Sequence, residues 1–161
     1  MKKAPTSAYS DAVLLLSRRD LSIAECRARL RDREYPDEEI DSAIERLRET
    51  GALDDGRVAR THAQTALTVK GRGRLRILRE LQERGISRED AANAVGTVAG
   101  NADERTLVAK AIQKRLRTGR RPTDQAGFAR LYQYLMRQGF TPSAVSAELR
   151  QLRGKGPDDD L

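Results

Sequence analysis

The 161-residue chain is 38% hydrophobic and 34% charged, with 4% aromatic residues and no Trp, so apolar burial must come from Leu, Ile, Val and Ala, the residues that fill helix-on-helix seams. No stretch approaches the roughly 20 apolar residues that cross a bilayer, and Met1-Lys2-Lys3-Ala4-Pro5 leads into a helical pattern rather than a cleavable apolar segment, which excludes a membrane span and gives a cytoplasmic expectation. The formal net charge of +7 is unevenly spread: residues 1–55 carry 10 basic and 13 acidic side chains, residues 56–100 carry 9 and 4, and residues 101–161 carry 12 and 7. Such asymmetry points to a polyanionic partner surface, either nucleic acid or an acidic protein groove. The single cysteine, Cys26, can form no internal disulfide and no cysteine-based zinc site, and reads as a small core residue.

In chain order, a first helix is predicted over Ala8–Arg18. Ser22-Ile23-Ala24-Glu25 is a capping box that opens a second helix through Cys26 and Leu30, and Pro36-Asp37 opens a third with Ile40, Ile44 and Leu47 on one face. The link Gly51-Ala52-Leu53-Asp54-Asp55-Gly56 leads to a helix over Gly56–Val69. A helix through Ile77 and Leu81 follows and stops at Gly85-Ile86. Ser87, with Asp90 three residues on, opens the next, carrying Ala91, Val95 and Val98. Beyond Gly96–Asn101 come a helix over Ala102–Arg117, one through Leu131 and Leu135 that stops at Gly139-Phe140, and a last one opened by Thr141-Pro142 with Val145, Leu149 and Leu152 on one face.

These elements are three copies of one unit, anchored at Leu30, Leu81 and Leu135. Four residues before each anchor stands Cys26, Ile77 or Leu131; five after it stands Tyr35, Ile86 or Phe140, preceded by Glu34, Gly85 or Gly139. The fold class expected is all-α: three tandem three-helix, helix-turn-helix-like repeats in an elongated, curved array, since a unit of about 45 residues has too little core to stand alone. The expected boundaries are an N-terminal tail 1–7, repeats 8–55, 56–100 and 101–153, and a disordered acidic tail 154–161 containing Asp158, Asp159 and Asp160.

Two basic clusters stand out. Lys70-Gly71-Arg72-Gly73-Arg74-Leu75-Arg76 combines backbone freedom with closely spaced cations; a helical wheel places Arg72, Arg76 and Arg79 together, opposite Ile77, Leu78 and Leu81, as a surface for phosphate or carboxylate. A solvated polar face explains the same residues equally well. Lys114-Arg115, Arg117 and Arg120-Arg121 gather where a helix ends near Gly119 and Pro122, partly because cations complement a helix C-terminus. Arg18 and Arg19 invite the same two readings, with the structural one ahead. His62 has no ligand-spaced neighbour, no nucleophile signature or phosphate-binding loop is present, and no metal or cofactor is expected, so the chain reads as a non-enzyme. Tyr132 and Tyr134 can stack on bases, but core or interface packing is the better reading, since helical alternation puts one of them near the core.

The chain resembles the RecX family of recombinase regulators over roughly Ala8–Leu152. The relevant runs are Leu16-Ser17-Arg18-Arg19-Asp20-Leu21-Ser22 with Glu25 and Leu30; Leu47-Arg48-Glu49-Thr50-Gly51-Ala52-Leu53-Asp54-Asp55 with Arg57 and Ala59; and Gly71-Arg72-Gly73-Arg74-Leu75-Arg76-Ile77 leading to Glu80-Leu81 and Arg84-Gly85-Ile86. Departures fall at packing or turn positions: Cys26 stands where the family usually has Leu, Glu34-Tyr35 replaces the usual Gly and aromatic or apolar pair, and Val58 replaces a common Phe. The resemblance implies a monomer that binds the RecA recombinase, lodges in the groove of its filament on single-stranded DNA, and reduces ATP hydrolysis, strand exchange and co-protease activity. The competing readings are a direct DNA-binding helical repeat protein, on single- or double-stranded DNA, and a scaffold for an unrelated acidic protein.

Overall fold

The computed structural model describes residues 7–154, which form nine helices and no strand. They are α1 (Ala8–Leu16), α2 (Ile23–Arg31), α3 (Asp37–Glu49), α4 (Asp55–Thr68), α5 (Arg74–Glu83), α6 (Arg88–Ala99), α7 (Glu104–Thr118), α8 (Gln125–Gln138) and α9 (Pro142–Gly154). The all-α, three-repeat expectation is borne out, with small shifts at the ends. The helix predicted to reach Arg18 stops at Leu16, where Ser17 Oγ turns back to donate to the Leu14 carbonyl at 2.8 Å. The helix predicted from Gly56 starts one residue earlier, because the Asp54 carboxylate caps it by accepting from the Arg57 amide at 2.9 Å. The helix predicted from Ala102 starts at Glu104. The last helix extends through Gly154, so the acidic tail foreseen from 154, like most of the N-terminal tail foreseen over 1–7, lies outside the described residues.

The chain divides into two compact units: residues up to 62 together with 80–94, and 63–79 together with those from 95 onward. In the first, α1 packs on α2 and α3, and α2 on α3, around Ala12, Leu15, Leu30, Ile40, Ile44 and Leu47. Cys26 is fully buried in this core, where desolvation pushes its thiol pKa up; it is the packing residue its sequence context suggested. In the second, α7, α8 and α9 pack the same way around Val108, Ile112, Leu135, Phe140, Val145 and Leu149. Each large aliphatic side chain so buried contributes roughly 1.5–3 kcal/mol.

The three anchor leucines are the point where one helix is turned into the next. After each, the amide five residues on donates to the anchor carbonyl: Tyr35 to Leu30 at 3.3 Å, Ile86 to Leu81 at 3.1 Å, Phe140 to Leu135 at 3.4 Å. Inside each of these loops a second amide closes the turn: Glu34 to Arg31 at 2.8 Å, Gly85 to Gln82 at 2.9 Å, Gly139 to Met136 at 3.0 Å. This is the Schellman pattern, and it needs a left-handed residue at its centre. Gly85 (φ 77°) and Gly139 (φ 89°) supply that conformation without steric cost; Glu34 (φ 63°), the one described non-glycine residue with positive φ, adopts it against its Cβ. The departure at Glu34 therefore changes the residue and leaves the geometry intact.

Each unit contains one further junction, and the two use equivalent positions. In the first, Ser22 caps α2 through a complete capping box with Glu25 and also donates its Oγ to the Arg84 carbonyl at 2.5 Å; Ala24 fits so closely under Gly85 that a Cβ there would lie 2.4 Å from the alanine methyl. Eight residues before the next anchor, Gly73 donates its amide to the Gln138 carbonyl at 2.7 Å and Leu75 donates to Gly139 at 3.2 Å. A Cβ on Gly73 would meet the Gly139 carbonyl at 2.4 Å, and one on Gly139 would meet Arg76 at 2.4 Å. Glu25 binds Arg84 in two bonds, at 2.8 and 3.3 Å. Burial alone would raise its pKa, but Arg84, the Ser22 amide and Arg19 together hold it below the ordinary 4.5.

Two outcomes follow for stability. Glu34→Gly relieves the left-handed strain and is expected to raise stability by about 0.5–1 kcal/mol, read as a higher urea midpoint at unchanged slope; an unchanged or lower midpoint would show that the Glu34 side chain offsets its own backbone. Gly73→Ala, whose Cβ meets main chain rather than a movable side chain, is expected to cost about 2 kcal/mol or more by the same measurement.

Candidate functional site

The second unit carries most of the predicted cations, and local structure divides them into two groups. Several close the fold. Arg74 donates an Nη2 hydrogen to the Ala102 carbonyl at 2.8 Å, and its Nε is buried without a partner; Lys114 Nζ bonds the Val69 carbonyl; Arg76 Nη1 reaches the Arg137 carbonyl at 3.2 Å. Their charge is spent on carbonyls left over at chain turns. The wheel that grouped Arg72 with Arg76 and Arg79 needs correcting: α5 begins at Arg74, and Arg72 precedes it in a segment whose amide bonds the Ala66 carbonyl at 2.9 Å. Arg76 and Arg79 share a face of α5, where they line a hollow of about 560 Å³ with Leu75, Met136, Arg137 and Phe140. Lys70 is exposed beside that segment.

The other group is presented to solvent. After α7, the chain from Gly119 to Asp124 turns back to α8 and leaves an open groove of about 830 Å³. Arg115, Arg120, Arg121, Arg130 and Arg137 line it, and among the described residues the one acid on its wall is Asp124. That carboxylate is already engaged, capping α8 by accepting from the Gly127 amide at 2.7 Å. Arg115 lies over the ring of Tyr134, 5.1 Å from its centroid, and Arg121 donates to the Leu152 carbonyl at 3.0 Å, which fixes it against the last turn of α9. Arg117 and Arg120 are exposed and have no ion-pair partner among the described residues. Guanidinium groups arrayed in this way accept a polyanion through paired N–H donors, and Tyr134 offers an amphipathic wall between them.

Arg18 and Arg19 belong to the first unit: Arg18 is exposed, and Arg19 pairs with Glu25 at 3.5 Å, extending the clasp around Arg84. His62 has a carboxylate partner that its own helix could not offer, Glu80 Oε2 at 2.9 Å. Tyr132 and Tyr134 are both half-buried against the third-repeat core, where alternation had placed one. Sequence reading passed over Arg130 and Arg137. The signal was present, because Arg130, Tyr134 and Arg137 fall at i, i+4 and i+7 on the face of α8 adjoining the buried Leu131 and Leu135 stripe. Among the described residues no cluster of His, Cys, Asp or Glu is placed to hold a metal ion, and no helix is long and apolar enough to cross a membrane.

Family profiles for the first, second and third three-helix domains of RecX match residues 8–47, 54–95 and 103–149. The chain is 32% identical over 146 residues to a protein of Halorhodospira halophila named regulatory protein RecX, covering 89% of this chain and 88% of the relative. It is 30% identical over 155 residues to a protein of that name from Pseudomonas syringae pv. tomato, covering 96% of each. In fold it is similar to the crystal structure of RecX from Lactobacillus salivarius, with a TM-score of 0.76 at 18% identity over 92% of this chain and 96% of the other.

If the groove is the anion-binding surface, Arg120→Gln with Arg130→Gln should lower the slope of log affinity against log salt for a single-stranded oligonucleotide by roughly 1–2, the loss of one or two phosphate contacts. A variant with the parent's slope would move the anion site elsewhere.

Proposed function

The chain belongs to the RecX family of regulatory proteins, and we propose that it is a negative, non-enzymatic regulator of the RecA recombinase, binding the recombinase filament on single-stranded DNA and reducing its ATP hydrolysis, strand exchange and co-protease activity. The observation that carries this reading is the arginine groove of the second unit, where the described residues set five guanidinium groups against one carboxylate already used as a helix cap. A nucleoprotein filament presents both kinds of anion such a groove takes, DNA phosphates and protein carboxylates, in a repeating array. Regulation then needs no chemistry from this chain, only attachment that disfavours the filament's working state.

Direct binding to bare DNA is the second reading, favoured by the predominance of guanidinium groups over carboxylates among the described residues of the groove wall. One titration separates the two: recombinase ATP hydrolysis on single-stranded DNA, followed as this protein is added at moderate salt, beside its binding to the same DNA without recombinase. Inhibition is expected at concentrations well below those that coat the DNA. Unchanged hydrolysis with tight binding to bare DNA would replace the filament reading by the DNA-binding one.

A further inference from the structure

A smaller hollow, of about 330 Å³, lies between α8 and α9. Phe128 and Tyr132, one turn apart on α8 and half-buried against the third-repeat core, give it aromatic walls. Arg150 and Arg153 line it from α9, and among the described residues no carboxylate does so. Arg153 lies over the Phe128 ring, 4.4 Å from its centroid, and donates to the Gln125 side-chain oxygen at 2.7 Å; Arg150 donates its Nε hydrogen to the Ser146 carbonyl at 3.3 Å. Both acceptors are neutral and cancel no charge, and each bond takes one of the five N–H donors that a guanidinium carries. The hollow adjoins the arginine groove. Ala129 and Gln133, one turn apart and both exposed, line the two alike, and at Ala129 the dividing ridge of α8 carries only a methyl group.

We propose that this hollow is a nucleobase subsite of the arginine groove: a single strand lies with its phosphates along the groove, and one unpaired base crosses α8 at Ala129 to pack against Phe128 and Tyr132. Size, surface and charge each favour this occupant. The volume is at the small end of the roughly 300–1,000 Å³ range of ligand pockets, room for one base but not for an element of secondary structure. Aromatic rings, and an arginine over one of them, are the surfaces on which unstacked bases pack. The Gln133 amide, lining both hollows, offers a donor and an acceptor to a base edge, and the cations beyond the rings suit the adjoining phosphate. An acidic protein segment would use the charges and leave the rings without a planar partner. This rests on the groove being an anion-binding surface, and it adds which anion: one that carries a base free of pairing.

The test uses the full chain, without recombinase, and two fluorescein-labelled ligands of equal length: oligothymidylate, and an abasic oligomer with the same phosphates and no bases. The parent is expected to bind oligothymidylate about five- to tenfold more tightly, with the same slope of log affinity against log salt, because stacking adds no phosphate contact. Phe128→Leu/Tyr132→Leu keeps apolar volume and removes both rings; it is expected to bring oligothymidylate down to the abasic affinity and to leave the abasic oligomer unchanged. Arg120→Gln/Arg130→Gln is expected to weaken both ligands alike. Equal binding of the two ligands by the parent overturns the base subsite and leaves the anion reading of the groove in place. Failure of both to bind overturns the anion reading and the subsite with it. A readout on the unaltered protein guards against a folding loss in the Leu variant: the ring NMR resonances of Phe128 and Tyr132 are expected to shift with oligothymidylate and not with the abasic oligomer. Rings left unshifted by bound oligothymidylate overturn the proposal whatever the variants do.

Discussion

A helix that ends must satisfy its last carbonyls and redirect the chain, and in this protein one left-handed residue does both at the end of each second helix. At Glu34, Gly85 and Gly139 the backbone turns over so that the amide five residues past an anchor leucine returns to that leucine's carbonyl. The turn delivers an apolar residue, Tyr35, Ile86 or Phe140, back beside the helix, and it sets the direction from which the third helix starts. The helix-pair geometry of every repeat follows from these turns. So does the close contact at Gly73, because the carbonyls that receive the Gly73 and Leu75 amides belong to the turn around Gly139.

Why the fold was legible in the sequence is clear from the same positions. Local chemistry marks three of the helix starts, through Ser22, Ser87 and Thr141-Pro142, and the stop of the second helix, through glycine, in two copies of three. The repeat itself supplies the third stop, since Glu34 reads as a turn residue only by alignment with Gly85 and Gly139. Two helix ends shifted where a side chain captured a backbone group: Ser17 shortens α1, and Asp54 brings α4 forward. Such competition is decided by a single hydrogen bond and leaves no periodic trace.

The site was legible only in part, for a related reason. A run of arginines in sequence announces charge but not what the charge meets. Arg74 and Lys114 lie in the two densest basic runs, yet the structure turns both onto carbonyls, Ala102 and Val69, far away in the chain. Arg130 and Arg137 lie in no run and line the groove with Arg120 and Arg121. Helical spacing, rather than adjacency, gathers that wall. The division between cations that close the fold and cations that face outward is a tertiary property, settled by which carbonyls the turns leave unsatisfied.

The junction at Gly73 joins main chain to main chain through the Gly73 and Leu75 amides, with the Arg76 guanidinium beside them on the Arg137 carbonyl. The amides and carbonyls are identical in every residue, so what inheritance must preserve there is room rather than chemistry: the absence of a Cβ at Gly73 and at Gly139. A backbone held by such a contact can persist while side chains change, which accords with a fold shared at a TM-score of 0.76 by chains only 18% identical.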